Sequence, residues 1–136
     1  MKYFLTFLFF FSCLQSSQAA VKTSAVEYSH EKTELEGYLA YDDSLSGPRP
    51  GILLMHDWWG IGQFEKQRAE QLAQAGFVVF VADLYGKGTH PKNETEAIRK
   101  EATGRDHIQS LRDRANAGLE QLKLSPLVNP KKISAV

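Results

Sequence analysis

The sequence predicts an α/β domain built on a largely parallel sheet, and three observations carry that prediction. Gly51-Ile52-Leu53-Leu54-Met55-His56 and Phe77-Val78-Val79-Phe80-Val81-Ala82 are unbroken apolar runs, the pattern of strands buried on both faces. Between them, Gln63 to Ala75 places Phe64, Ala69, Leu72 and Ala73 at helical spacing. A strand, a helix and a strand in that order form a right-handed crossover unit whose strands lie parallel. The 136 residues suffice for one modest domain.

In chain order, the first segment reads as a targeting signal. Met1-Lys2 is a positive start, and Tyr3 to Leu14 is an apolar run too short to span a bilayer. Gln15-Ser16-Ser17-Gln18-Ala19 follows, with small residues at Ser17 and Ala19 that suit cleavage after Ala19. Residues 1–19 are therefore expected to be a signal peptide. The mature part, 20–136, is expected to be secreted or periplasmic, with no stable membrane insertion once the signal is removed. Cleavage also takes away Cys13, the only cysteine, so the mature part has no disulfide, thiolate metal ligand or cysteine nucleophile.

A β-hairpin is expected next. Ala25–Tyr28 forms a short strand, and His30-Glu31-Lys32 makes the turn. Thr33 to Tyr41 alternates, with Leu35, Gly37, Leu39 and Tyr41 on one face. Asp42 to Pro50 is a loop punctuated by Gly47 and two prolines, and the first buried strand follows. The helix over 63–75 closes at Gly76, and the second buried strand is rich in β-branched and aromatic residues. After a loop over 83–92, Asn93 caps a helix with Glu96 three positions on, and Gly104 is expected to break or bend it. A further helix over 106–122 carries Ile108, Leu111, Ala115, Leu119 and Leu122 at helical spacing. Ser125 to Pro130 is a turn, and Lys131 to Val136 begins a third parallel strand.

Charge excludes some functions. With 16 basic and 16 acidic residues the net charge is zero, so no nucleic-acid partner is expected. No cluster of His, Asp and Glu has metal-ligand spacing, and neither a metal nor an organic cofactor is expected.

Ligands of open parallel sheets bind outside the carboxyl ends of the strands. The first buried strand ends in His56-Asp57-Trp58-Trp59-Gly60, and the second in Ala82-Asp83-Leu84-Tyr85-Gly86, which brings Tyr85 to the same crevice. A turn that carries His56, Asp57, Trp58 and Trp59 beside Tyr85 is a strong candidate site, with Trp59, Tyr85 and His56 as candidates for contact with a substrate. Each also has a plain structural alternative. Asp57 can brace its loop, the tryptophans can pack over the sheet end, His56 can be a structural hydrogen-bonder and Asp83 can hold its turn. Arg99 and Arg105 are read as solvated helix charges.

With LLMHDWWGI at 53–61, LAQAG at 72–76 and FVVFVADLYG at 77–86, the chain resembles the dienelactone hydrolase family of α/β hydrolases over roughly 33–136. The resemblance implies the α/β-hydrolase fold, here its N-terminal part: a β-hairpin, then parallel βαβαβ, incomplete at Val136. It implies hydrolysis of a small ester or lactone by nucleophilic acyl transfer. The Trp58 N–H would be one oxyanion donor, and Asp57 stands where the family usually has Glu. Family members carry a cysteine nucleophile on an elbow just after a strand like 131–136, with an Asp and a His much later. No nucleophile, acid or histidine of that triad is expected within this chain, because its histidines all precede the elbow. The 136 residues by themselves are accordingly expected to be inactive, and marginal or unfolded. Two alternatives stand beside this one: a serine esterase or peptidase of the same fold, and a non-catalytic secreted protein that binds a small ligand.

Overall fold

The computed structural model describes residues 20–136, and the expected signal peptide lies outside the described residues. The elements are β1 (Val21–His30), β2 (Thr33–Asp42), β3 (Arg49–Met55), α1 (Gln63–Gln74), β4 (Val78–Ala82), α2 (Glu94–Asp106), α3 (Ile108–Leu124) and β5 (Val128–Ala135). They form one five-stranded sheet in the order β1-β2-β4-β3-β5. β1 and β2 are the expected hairpin, paired antiparallel along their full length from Val21↔Asp42 to His30↔Thr33. β2 runs antiparallel to β4, whereas β3 is parallel to both β4 and β5.

This strand order explains the unbroken apolar runs. In a strand, successive side chains point to opposite faces, so a run without alternation needs cover on both. Ile52 and Leu54 of β3, with Val79 and Val81 of β4, face Ala69 and Ala73 of α1. Leu53 of β3, with Val78, Phe80 and Ala82 of β4, faces the other way and packs with Leu122 of α3 and Val128 of β5. Both β4 faces are sealed, its residues 78–82 being at most 1% exposed. Gly37 of β2 leaves the space that the Phe80 ring fills.

Several expectations shift at their edges. β1 begins at Val21 rather than Ala25, since hairpin pairing with β2 continues to Asp42. β5 begins at Val128, which is buried, and not after Pro130. α2 runs straight through Gly104 to Asp106. Gly104 is buried against Leu111, so it is a close-packing point and not a break. Phe64 and Ile108, expected on apolar faces, are 73% and 49% exposed. Glu65 instead turns inward on α1 and accepts the Gly62 N–H at 2.8 Å, closing the helix N-terminus with a carboxylate. The Asn93 cap is as read: its side chain accepts the Glu96 N–H at 3.0 Å, while the Glu96 carboxylate takes the Lys92 N–H.

The chain leaves β3 toward β4 on one side and returns from β4 to β5 on the other. α1 and α3 consequently cover opposite faces. Their connections diverge at the carboxyl end of β3, and a topological switch point of this kind opens a crevice there.

Candidate active site

The switch point is where the structure places the sequence candidates. β3 ends at Met55, and residues 56–60 turn over its end; β4 ends at Ala82, and residues 83–86 turn beside them. A cavity of about 510 Å³ lies between these turns and α2, lined by His56, Asp57, Trp58, Leu84, Tyr85, Glu101, Gly104, Arg105 and Leu111. Trp59 is not among those residues; it is 40% exposed and stacks edge-on against Trp58, ring centroids 5.9 Å apart.

Asp83 builds the second turn. Its Oδ1 accepts the N–H groups of Tyr85 and Gly86, both at 2.9 Å, and its Oδ2 accepts the Glu36 N–H of β2 at 3.1 Å. Gly86 completes the turn at φ 118°, where a side chain would be strained. The Tyr28 hydroxyl of β1 accepts the Asp83 N–H at 2.9 Å, and burial pushes this phenol up to about 12. From α3, the Arg114 guanidinium donates to the Leu84 carbonyl at 2.8 Å and the Tyr85 carbonyl at 3.2 Å. Sequence reading missed Arg114, Tyr28 and Glu65 as parts of the site's frame. The signal for Arg114 was present: it lies three residues after Leu111 and four before Gly118, on the stripe that α3 turns inward.

The first turn is held as closely. The Asp57 carboxylate accepts the Trp59 N–H at 2.8 Å, and the Asp57 carbonyl accepts the Gly60 N–H at 3.3 Å. Gly60 takes φ 83° beneath His90 and Tyr85. The Tyr85 hydroxyl donates to the Trp58 carbonyl at 3.3 Å, binding the two turns together. His56 is buried, with Nδ1 2.7 Å from the Asp57 carbonyl and Nε2 accepting the Leu84 N–H at 3.1 Å. Its polar atoms are thus both taken by backbone, and its ring packs edge-on to Tyr85 at 4.7 Å. Burial holds its pKa below the ordinary histidine value, against the pull of Asp83, Glu65 and Asp57. Among the described residues, the Trp58 N–H makes no intramolecular hydrogen bond.

The cavity has an apolar floor in Leu84, Tyr85 and Leu111 and a charged side on α2. There Arg105 pairs with Glu101 at 3.6 Å, and Lys100 Nζ lies 5.8 Å from the Tyr85 ring centroid. Arg105 therefore borders the cavity, whereas Arg99 faces a separate hollow beside His90 and Pro91. Among the described residues, no group of three or more His, Cys, Asp or Glu side chains is arranged to hold a metal ion, and no helix is long and apolar enough to cross a membrane.

Comparison with known proteins agrees with this architecture. The protein is similar to a solved dienelactone hydrolase-like promiscuous phosphotriesterase from metagenomic libraries, with a TM-score of 0.80 and 28% identity over 85% of this chain and 48% of that one. "Protein usf" of Aquifex pyrophilus is 27% identical over 115 residues, 79% of this chain and 47% of its own length. The "Putative carboxymethylenebutenolidase" of Aquifex aeolicus is 32% identical over 75 residues, 53% of this chain and 31% of its own. The chain thus spans about half the length of these relatives, or less. The model of the dienelactone hydrolase family matches residues 35–136, from the second hairpin strand through β5. The chain belongs to the dienelactone hydrolase family and has the α/β-hydrolase fold.

Proposed function

We propose that the intact protein is a secreted or periplasmic hydrolase of small esters or lactones, with the Trp58 N–H as one oxyanion donor. The observation that carries this reading is a backbone N–H left without a partner on a tightly held loop, at the carboxyl end of β3 and beside a cavity. Attack on a carbonyl carbon places negative charge on its oxygen, and a preorganised N–H in a dry site stabilises that charge. The attacking Cys or Ser would stand C-terminal to β5, and water would then hydrolyse the acyl-enzyme. The apolar floor of the cavity fits a small acyl or lactone ring, and the names of the related proteins favour a lactone or ester.

The test is hydrolysis of p-nitrophenyl acetate and dihydrocoumarin by the intact protein, in wild type, Trp58→Phe and Trp58→Pro. Proline removes the N–H, so kcat is expected to fall by about 10²–10³ in that variant alone. A folded wild type that turns over neither substrate would overturn the proposal. Paraoxon belongs in the same panel because one relative is named a promiscuous phosphotriesterase.

A further inference from the structure

We infer that His56 is a positioning residue: by donating from Nδ1 to the Asp57 carbonyl, it fixes the direction of the Trp58 N–H on the far side of the same peptide. This rests on the reading of Trp58 N–H as an oxyanion donor. The Asp57–Trp58 peptide is trans, and the carbonyl and N–H of a planar trans peptide project to opposite sides. Holding one therefore aims the other. The Asp57 carbonyl receives His56 Nδ1 at 2.7 Å, and the Gly60 N–H more distantly at 3.3 Å. In the next peptide the Trp58 carbonyl receives the Tyr85 hydroxyl, and the Trp59 N–H goes to the Asp57 carboxylate. Of the four polar groups on these two peptides, two are tied down within the loop and one by Tyr85 of the neighbouring turn, and the one left is the Trp58 N–H.

The tautomer follows from the second bond of the ring. Leu84 N–H can only donate, so Nε2 must carry no proton, and the neutral imidazole keeps its proton on Nδ1. Leu84 is in turn pinned by Arg114 at its carbonyl, so the acceptor nitrogen faces a fixed donor. The ring cannot turn over without losing both bonds, and at 8% exposure it has little water to replace them.

Two conservative variants of the intact protein separate this role from general bracing. The amide nitrogen of His56→Asn reaches the place of Nδ1 and keeps the donor to Asp57. The amide oxygen of His56→Gln reaches the place of Nε2 and keeps only the acceptor for Leu84. On p-nitrophenyl acetate, His56→Gln is expected to lower kcat about 10–100-fold with KM nearly unchanged, part of the loss for a whole oxyanion donor, while His56→Asn, the conservative rescue that keeps the donor, recovers most of that loss. Amide ¹⁵N relaxation gives a readout that needs no substrate. The Trp58 order parameter is expected at about 0.85 in wild type and His56→Asn, and below about 0.6 in His56→Gln. Equal loss of kcat in both variants, or a Trp58 amide that stays rigid in His56→Gln, would overturn the inference. Loosening confined to His56→Gln in a protein that hydrolyses no ester would support the positioning and sink only the hydrolase reading. If His56→Gln does not fold, His56→Asn decides: a rigid Trp58 amide with kcat near wild type supports the inference, and a mobile amide or a lost kcat overturns it.

Discussion

Gly118 on α3 packs directly against β4, and Gly118→Ala probes the packing that seats the site. A Cβ at this position would lie 2.8 Å from the Ala82 Cβ and 3.4 Å from both the Phe80 ring and the Tyr28 hydroxyl. On an exposed helix the change would stabilise by about 1 kcal/mol through helix propensity. Here the nearest atom is a methyl fixed directly to the backbone of β4, which is sealed on both faces. No side-chain torsion can relieve the contact, so α3 or β4 must shift, at the roughly 1–3 kcal/mol typical of overpacking. The shift would also press on the hydroxyl that receives the Asp83 N–H. Set against the propensity gain, the net expectation is a loss of up to about 2 kcal/mol. Gly104→Ala is the control. Its Cβ would meet Leu111 Cδ1 at 2.9 Å, the free end of a flexible side chain, and the next contacts are at 3.7 Å or beyond. Leu111 can give way, so most of the propensity gain should survive, with stability unchanged or raised by up to about 1 kcal/mol. Urea denaturation of the intact protein, followed by far-ultraviolet circular dichroism, measures both, with an unchanged m-value as the check on comparison. A Gly118→Ala variant at least as stable as wild type, or less damaging than Gly104→Ala, would refute the packing argument.

Asp83→Asn should destabilise by about 2–3 kcal/mol, because an amide cannot accept from Tyr85, Gly86 and Glu36 together and must turn its NH₂ toward one of those donors. The same urea titration reads it, and a neutral outcome would mean that the carboxylate is not what holds the turn. A pH series tests His56. Its pKa is lowered on folding, so its contribution is fully present above the unfolded value of 6.5 and is lost as pH falls from there through the lower folded value. His56→Asn is expected to flatten that part of the stability profile, and an unaltered slope would show that another group is responsible.

Much of this fold is legible in the sequence, for physical reasons that differ along the chain. The runs at 51–56 and 77–82 lack alternation because α1 and α3 cover both faces, and that pattern is local and strong. The Asn93 cap was likewise local. Gly104 was misread because a helical glycine can mark either a break or a close approach, and only the position of Leu111 decides between them. Phe64 and Ile108 were assigned inward from spacing, but the faces actually buried are set by the sheet each helix meets. At the site, the strand ends located His56, Asp57, Trp58 and Tyr85 on one cavity through the switch-point rule alone. What could not be read was how they are tied together. The bonds from Tyr28 and Arg114 to the 83–86 turn span 55 and 30 residues of sequence, and no short-range pattern encodes them. Glu65 was hidden differently, since an acidic residue in a first helical turn is expected to be solvated and here it is buried.

In the proposed reaction the Trp58 N–H receives the charge that develops on an attacked carbonyl. The most direct measurement is a crystal structure of the intact protein after reaction with a p-nitrophenyl alkylphosphonate, which leaves a tetrahedral phosphonyl group on the nucleophile. A phosphonyl oxygen is expected about 2.7–3.1 Å from the Trp58 nitrogen, with the His56 and Tyr85 bonds to the loop retained. A phosphonyl oxygen held elsewhere, with the Trp58 N–H turned away from it, would contradict the account.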